Sequence, residues 1–176
     1  MKKLLLLVLI SGISQVSLAQ YKPLELGSSL KFTIKNLGFD VGGSFSGFEG
    51  TIDFDPQNLS NSKFDVTINA ATINTDNSLR DEHLKGGNYF DVKNSPHIKI
   101  ASTKITPAGK GAYQFNGSLT IKGKSKPISF PFTAVLSADV YAFKGSFKMK
   151  RKDFGVGGTS TVSDELEVSI NVIAKK

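Results

Sequence analysis

Residues 63–70, KFDVTINA, put Phe64, Val66, Ile68 and Ala70 on one side of an extended chain and Lys63, Asp65, Thr67 and Asn69 on the other. A strict period of two is the mark of a β-strand, and apolar-in, polar-out alternation marks a sheet with one face in a core and the other in water. The pattern continues in both directions. Upstream, Leu30, Phe32 and Ile34 alternate with Lys31, Thr33 and Lys35, and Ile52 and Phe54 with Thr51, Asp53 and Asp55 before a turn at Asp55-Pro56-Gln57-Asn58. Downstream it runs through Ile98 and Ile100, a turn from Pro107 to Gly111, then Tyr113, Phe115, Leu119 and Ile121, and a turn from Gly123 to Pro127. Phe130, Phe132, Phe143, Phe147 and Met149 follow, and Leu166, Val168, Ile170 and Val172 close the set. About eight strands at this spacing predict an all-β antiparallel barrel or sandwich.

One segment breaks the alternation. Residues 74–98, NTDNSLRDEHLKGGNYFDVKNSPHI, are dense in charge and in helix formers. Ser78 with Asp81 three residues on forms a capping pair, and Gly86-Gly87 ends the run, so a helix of about two turns is expected. So short a helix is marginal in water and must be held by packing, with Leu79 and Leu84 as anchors and Tyr89-Phe90 as an apolar plug. A barrel with one helix over its mouth is a container for a ligand.

The first 19 residues stand apart. Lys2 and Lys3, the apolar run Leu4 to Ile10, and Ser17-Leu18-Ala19 have the layout of a secretory leader cleaved near Ala19-Gln20. The apolar run is shorter than the roughly 20 residues of a membrane span. About 157 residues remain, a single-domain length for residues 20–176. There is no cysteine, hence no disulfide framework and no thiolate metal site. The expected address is the periplasm, or the exterior. The formal charge of +7 falls to +5 without Lys2 and Lys3. In an exported protein that charge suits an anionic membrane surface or anionic ligand better than nucleic acid, unless the lysines only solvate the sheet and guard its edges.

Catalytic signatures are sparse. The only histidines, His83 and His97, have no HExxH spacing, no Gly-x-Ser-x-Gly elbow occurs, and a facial set of two histidines and Asp81 or Asp91 has no diagnostic spacing. Neither a catalytic nor a metal site is expected. Gly155 to Gly158 reads as a turn, since no helix pattern follows it to make a phosphate cradle. Arg80, Asp81 and His83 admit two readings. In one, Arg80 grips a phosphate or quinone oxygen, for which its planar guanidinium is suited, and the helix gates the interior. In the other, Arg80 and Asp81 pair with backbone groups or with Asp153 and Arg151 and pin the helix to the barrel. Arg151 and Asp153 read first as an ion pair locking a strand end.

Five pieces in order then carry a resemblance: Phe32-Thr33-Ile34-Lys35 with Gly38; Gly50 to Pro56; Arg80-Asp81-Glu82-His83-Leu84 to Tyr89-Phe90-Asp91 with Pro96; Gly117-Ser118-Leu119-Thr120-Ile121-Lys122-Gly123; and Arg151-Lys152-Asp153-Phe154-Gly155. Together they resemble the YceI-like family across nearly all of residues 20–176. The resemblance implies an extended, eight-stranded, lipocalin-like antiparallel barrel with a short helix near its mouth. It also implies a periplasmic protein holding a long polyisoprenoid or similar lipid, with a homodimer and links to isoprenoid quinone metabolism or envelope stress as further implications. The sequence departs from the family at Asn36, where many members carry His before the Leu-Gly pair.

A polyisoprenoid tail has no polar atoms to recognise, so only a long apolar tunnel selects it. At about 0.8 kcal/mol per CH2, burying roughly ten such units offers about 8 kcal/mol before ordering costs, near micromolar affinity. The expected tunnel lining is Phe32, Ile34, Phe54, Phe64, Val66, Ile68, Ile100, Phe115, Leu119, Phe132, Phe143 and Phe147. The competing expectation is a barrel with a filled core that binds another protein through an exposed apolar patch.

Overall fold

The computed structural model describes residues 20–176, and the leader-like segment lies outside them. Eight antiparallel strands follow one another around a closed barrel. They are β1 (Gln20–Asn36), β2 (Phe39–Asp53), β3 (Lys63–Asn74), β4 (His97–Gly109), β5 (Ala112–Ile121), β6 (Lys124–Ser137), β7 (Val140–Lys150) and β8 (Val162–Lys175). Closure is made by β1 against β8, with Leu30 opposite Ile170 and Phe32 opposite Val168. The alternation at 63–70 is realised as read, with Phe64, Val66, Ile68 and Ala70 buried.

Up-and-down topology sorts the connections onto two ends. At one, which we call the mouth, lie the turn at Leu37-Gly38, the long β3–β4 connection with helix α1 (Ser78–Lys85), the turn at Lys122-Gly123, and the β7–β8 connection with a 3-10 turn at Arg151–Phe154. The opposite end carries the turn at Asp55 to Asn58, closed by Asn58 N–H donating to Asp55 O at 3.1 Å. This end is shut by aromatic rings. Phe54 packs against Tyr113 (5.0 Å between ring centroids), Tyr141 (5.3 Å), Phe143 (5.4 Å) and Phe64 (6.0 Å). Edge-on geometry dominates these pairs, the arrangement that the ring quadrupole favours.

Two turns are tighter than the sequence suggests, because proline sits inside strands. Pro107 is paired with Tyr113 in β4, leaving Lys110-Gly111 as the turn, and Pro127 is paired with Ser118 in β6. β6 meets β7 only from Phe132 onward, so Pro127 and Pro131 fall where β6 has one neighbour and a missing N–H breaks no ladder on the open side. Lys122-Gly123 makes the turn instead, with φ of 51° and 69°, the double left-handed geometry of a two-residue hairpin.

The helix forms where expected but is capped one residue earlier. Asn77 is the cap, its side chain accepting from Arg80 N–H at 2.9 Å, and Ser78 is the first helical residue. Asp81 is thereby freed to reach back to Thr75, accepting from both its N–H and its hydroxyl. Leu84 packs on the core, but Leu79 points to solvent and anchors nothing. Phe90 takes that role, its ring 5.2 Å from Phe45 on β2.

Candidate functional site

The barrel interior is not filled. A cavity of about 170 Å³ lies at the mouth side, and a second of about 90 Å³ lies deeper. Both are bordered by Leu30, Ile68, Ile98, Leu119 and Phe147, so one thin apolar partition separates them. Of the side chains expected to line a tunnel, Phe32 and Ile34 face the outer cavity; Phe64, Val66, Ile100, Phe115, Phe132 and Phe143 face the inner one; Ile68, Leu119 and Phe147 face both. Phe54 lines neither, because its ring is consumed in the aromatic floor.

Other lining residues escaped the sequence reading. Phe45 and Phe48 lie on β2, where Gly42, Gly43, Gly47 and Gly50 and two register shifts scramble the alternation that would have marked them. Leu166 and Val168 on β8 alternate cleanly, but nothing in sequence distinguishes a strand bordering a void from one bordering packed core. The glycines have a steric role here. At Gly43 a Cβ would meet the Phe32 ring at 2.3 Å, so the missing side chain makes room for a ring that faces the outer cavity.

The polar groups of the lumen gather at the mouth. Asn36, Thr75, Arg80, Arg151 and Ser160 border the outer cavity, all from strand ends or connections. Arg80 donates through Nε to Thr75 Oγ1 (2.8 Å) and through Nη2 to Thr75 O (2.6 Å), which ties α1 to the end of β3. Arg80 borders both this cavity and a groove on the outside of the barrel beside Asp40 and Asp76. Asn36 accepts from the Thr161 hydroxyl at 2.7 Å. His83 is exposed, its ring 4.9 Å from Tyr89, and borders a separate polar hollow with Lys122 and Gly157.

Arg151 departs most from expectation. It is buried, 6% exposed, and forms no ion pair with Asp153 or any other acid among the described residues. Its donors go to neutral oxygens instead: Nε to Ser163 O (2.9 Å), Nη1 to Val156 O (2.8 Å), and Nη2 to Val162 O (3.0 Å), with Gly158 O and Ser160 Oγ at 3.2 Å. The guanidinium is the hub around which residues 156–163 fold. Asp153 is exposed, because the 3-10 turn sends Arg151 inward and Asp153 out.

Chemically, the interior offers apolar walls and two guanidinium groups at one end. His83 and His97 are both exposed, and no three histidine or acidic side chains converge as metal ligands would among the described residues. On the floor, burial pushes the Tyr141 phenol above its ordinary range, with Tyr21, Tyr113 and Asp55 adding to the shift.

Residues 21–174 match the family model of the YceI-like domain. The chain belongs to the YceI-like family. A UPF0312 protein of Pseudomonas aeruginosa is 32% identical over 168 residues, covering 90% of this chain and 87% of the relative, and one of Serratia proteamaculans is 30% identical over 157 residues, covering 84% and 81%. Among solved structures, Burkholderia cenocepacia BcnA superposes with a TM-score of 0.79 at 28% identity, covering 84% of this YceI-like chain and 96% of BcnA. The Campylobacter jejuni YceI protein gives 0.70 at 32% identity, covering 77% and 85%. A polyisoprenoid binding domain of Saccharophagus degradans gives 0.70 over 90% and 99%; at 12% identity it bears on the fold alone.

Proposed function

We propose that this YceI-like protein is a non-catalytic periplasmic carrier that holds the tail of a long-chain isoprenoid, a quinone or prenyl phosphate, inside its barrel. The observation that carries the reading is the unfilled apolar interior. Residual cavity volume costs about 24 cal/mol per Å³, so a void of about 170 Å³ costs about 4 kcal/mol and one of about 90 Å³ about 2 kcal/mol. Against a typical domain stability of about 5–15 kcal/mol, a fold kept for packing alone has no reason to carry that deficit. An apolar tail recovers it. The polar groups at the mouth suit an oxygenated head, and Arg80, which borders the cavity, is the cation positioned to meet it.

A barrel of the same fold, the Saccharophagus degradans domain, is described as polyisoprenoid binding, so the architecture itself is compatible with such a ligand. The leader-like residues 1–19 support export. The test is titration of delipidated protein with isoprenols of increasing length. Affinity should rise roughly tenfold for every two added CH2 equivalents until the lumen is full. Affinity independent of length, or no binding, would reject the carrier reading.

A further inference from the structure

Three large apolar side chains stand in water around the mouth: Leu37 at 71% exposure, Phe39 at 77% and Leu79 at 82%. Each lies within two residues of one that borders the outer cavity, Leu37 next to Asn36, Phe39 two before Val41, and Leu79 next to Arg80. Phe39 and Leu79 also immediately precede Asp40 and Arg80, which border one outer groove between the start of β2 and α1. Leu37 is doubly costly where it sits. It takes φ of 51° ahead of Gly38 at 85°, the first position of a two-residue turn that Asn or Gly suits, and it buries nothing in return. Beside these tips Lys35 pairs with Asp40 and Lys85 with Glu82, and Asp76 borders the same groove as Arg80. The β5–β6 and β7–β8 side of the rim, in contrast, carries Lys122, Lys124, Lys150 and Lys152 against Asp153 and Asp164.

We infer that the mouth is a membrane-docking face, in which Leu37, Phe39 and Leu79 enter the interface of an anionic bilayer while the rim lysines meet its head groups. A tail then passes between bilayer and lumen without crossing water. This deepens the carrier reading and names the surface through which the lumen would be loaded. Short apolar tips with a cation excess across the rim suit a reversible contact, since apolar area and electrostatic attraction add at a lipid surface.

The experiment is flotation of the purified protein with phosphatidylcholine vesicles, with and without phosphatidylglycerol. The wild type should float with the anionic vesicles, each of Leu37→Ser, Phe39→Ser and Leu79→Ser should weaken partitioning roughly tenfold, and the triple variant should stay behind. Leu37→Asn separates docking from folding, because it suits the turn: vesicle binding should fall while Tm rises. A wild type that ignores anionic vesicles, or a triple variant that floats as well as the wild type, would overturn the inference. Equal flotation with pure phosphatidylcholine would overturn the role given to the lysines. Lipid extracted from the same samples distinguishes the two readings. Loaded protein that does not float rejects docking alone, and empty protein that floats by its three tips rejects carriage alone.

Discussion

Replacing Leu119 by Phe decides between a lumen and a packed core by the sign of one number. Leu119 is buried on β5 and borders both cavities, so added volume enters the partition between them. The ring brings about three more carbons than the leucine side chain, worth about 2.4 kcal/mol at about 0.8 kcal/mol per buried CH2 if empty space receives them. For a domain of this length that corresponds to a rise in Tm of roughly 5–10 °C in delipidated protein. Were the interior fully packed, the same change would overpack it and cost about 1–3 kcal/mol. Ligand responses should move the other way: the ring occupies space the tail requires, so stabilisation by added isoprenoid should shrink. Thermal denaturation of delipidated wild type and variant, each with and without added isoprenol, reads both effects. A fall in Tm for the delipidated variant would refute the reasoning.

Four other expectations follow from particular contacts. Arg151→Met strands the carbonyls of Val156, Val162 and Ser163 without donors and should cost about 3 kcal/mol, whereas Asp153→Ala should stay within about 0.5 kcal/mol; denaturant melts compare them, and equal losses would restore the ion pair. Gly50→Ala sets a methyl 2.1 Å from Asp65 O at a φ of 114°, a backbone obstacle that should cost more than about 3 kcal/mol, measured as loss of folded yield or Tm. Gly43→Ala meets the Phe32 ring and the Thr75 methyl, side chains and not backbone, and the ring has the outer cavity to move into, so stability should fall by less while loading suffers. With its folded pKa raised above the unfolded value near 10, Tyr141 holds its proton longer when folded, so its contribution is full below about pH 10 and is lost as pH rises further; Tyr141→Phe should flatten the alkaline limb of a Tm-against-pH curve.

Legibility in the sequence followed the physics of each element. Strands such as Lys63–Asn74 announce themselves because side-chain period and burial period coincide. β2 did so only at its end, around Ile52, because its glycines allow register shifts that break the period while bringing Phe45 and Phe48 inward. Pro107 and Pro127 looked like turns because proline usually punctuates strands, and the open seam between β6 and β7 that tolerates Pro127 is a tertiary fact with no local trace. Leu79 shows the limit of helix reasoning: spacing identifies a helix, but a two-turn helix held by Thr75, Asn77 and Leu84 needs no second anchor. Arg151 shows the same limit for charge. A neighbouring Asp153 invites pairing on paper, yet a single 3-10 turn sends the two side chains in opposite directions. The void itself was legible only through the helix expected over the barrel mouth and the family resemblance, since the lining residues would equally serve a solid core.

The most direct test of the central claim is native mass spectrometry of protein purified from its own host, followed by organic extraction and identification of what is released. The account predicts a long-chain isoprenoid at close to one per chain, and a delipidated form that reloads with it. A chain that arrives empty and stays empty when offered such lipids would contradict it.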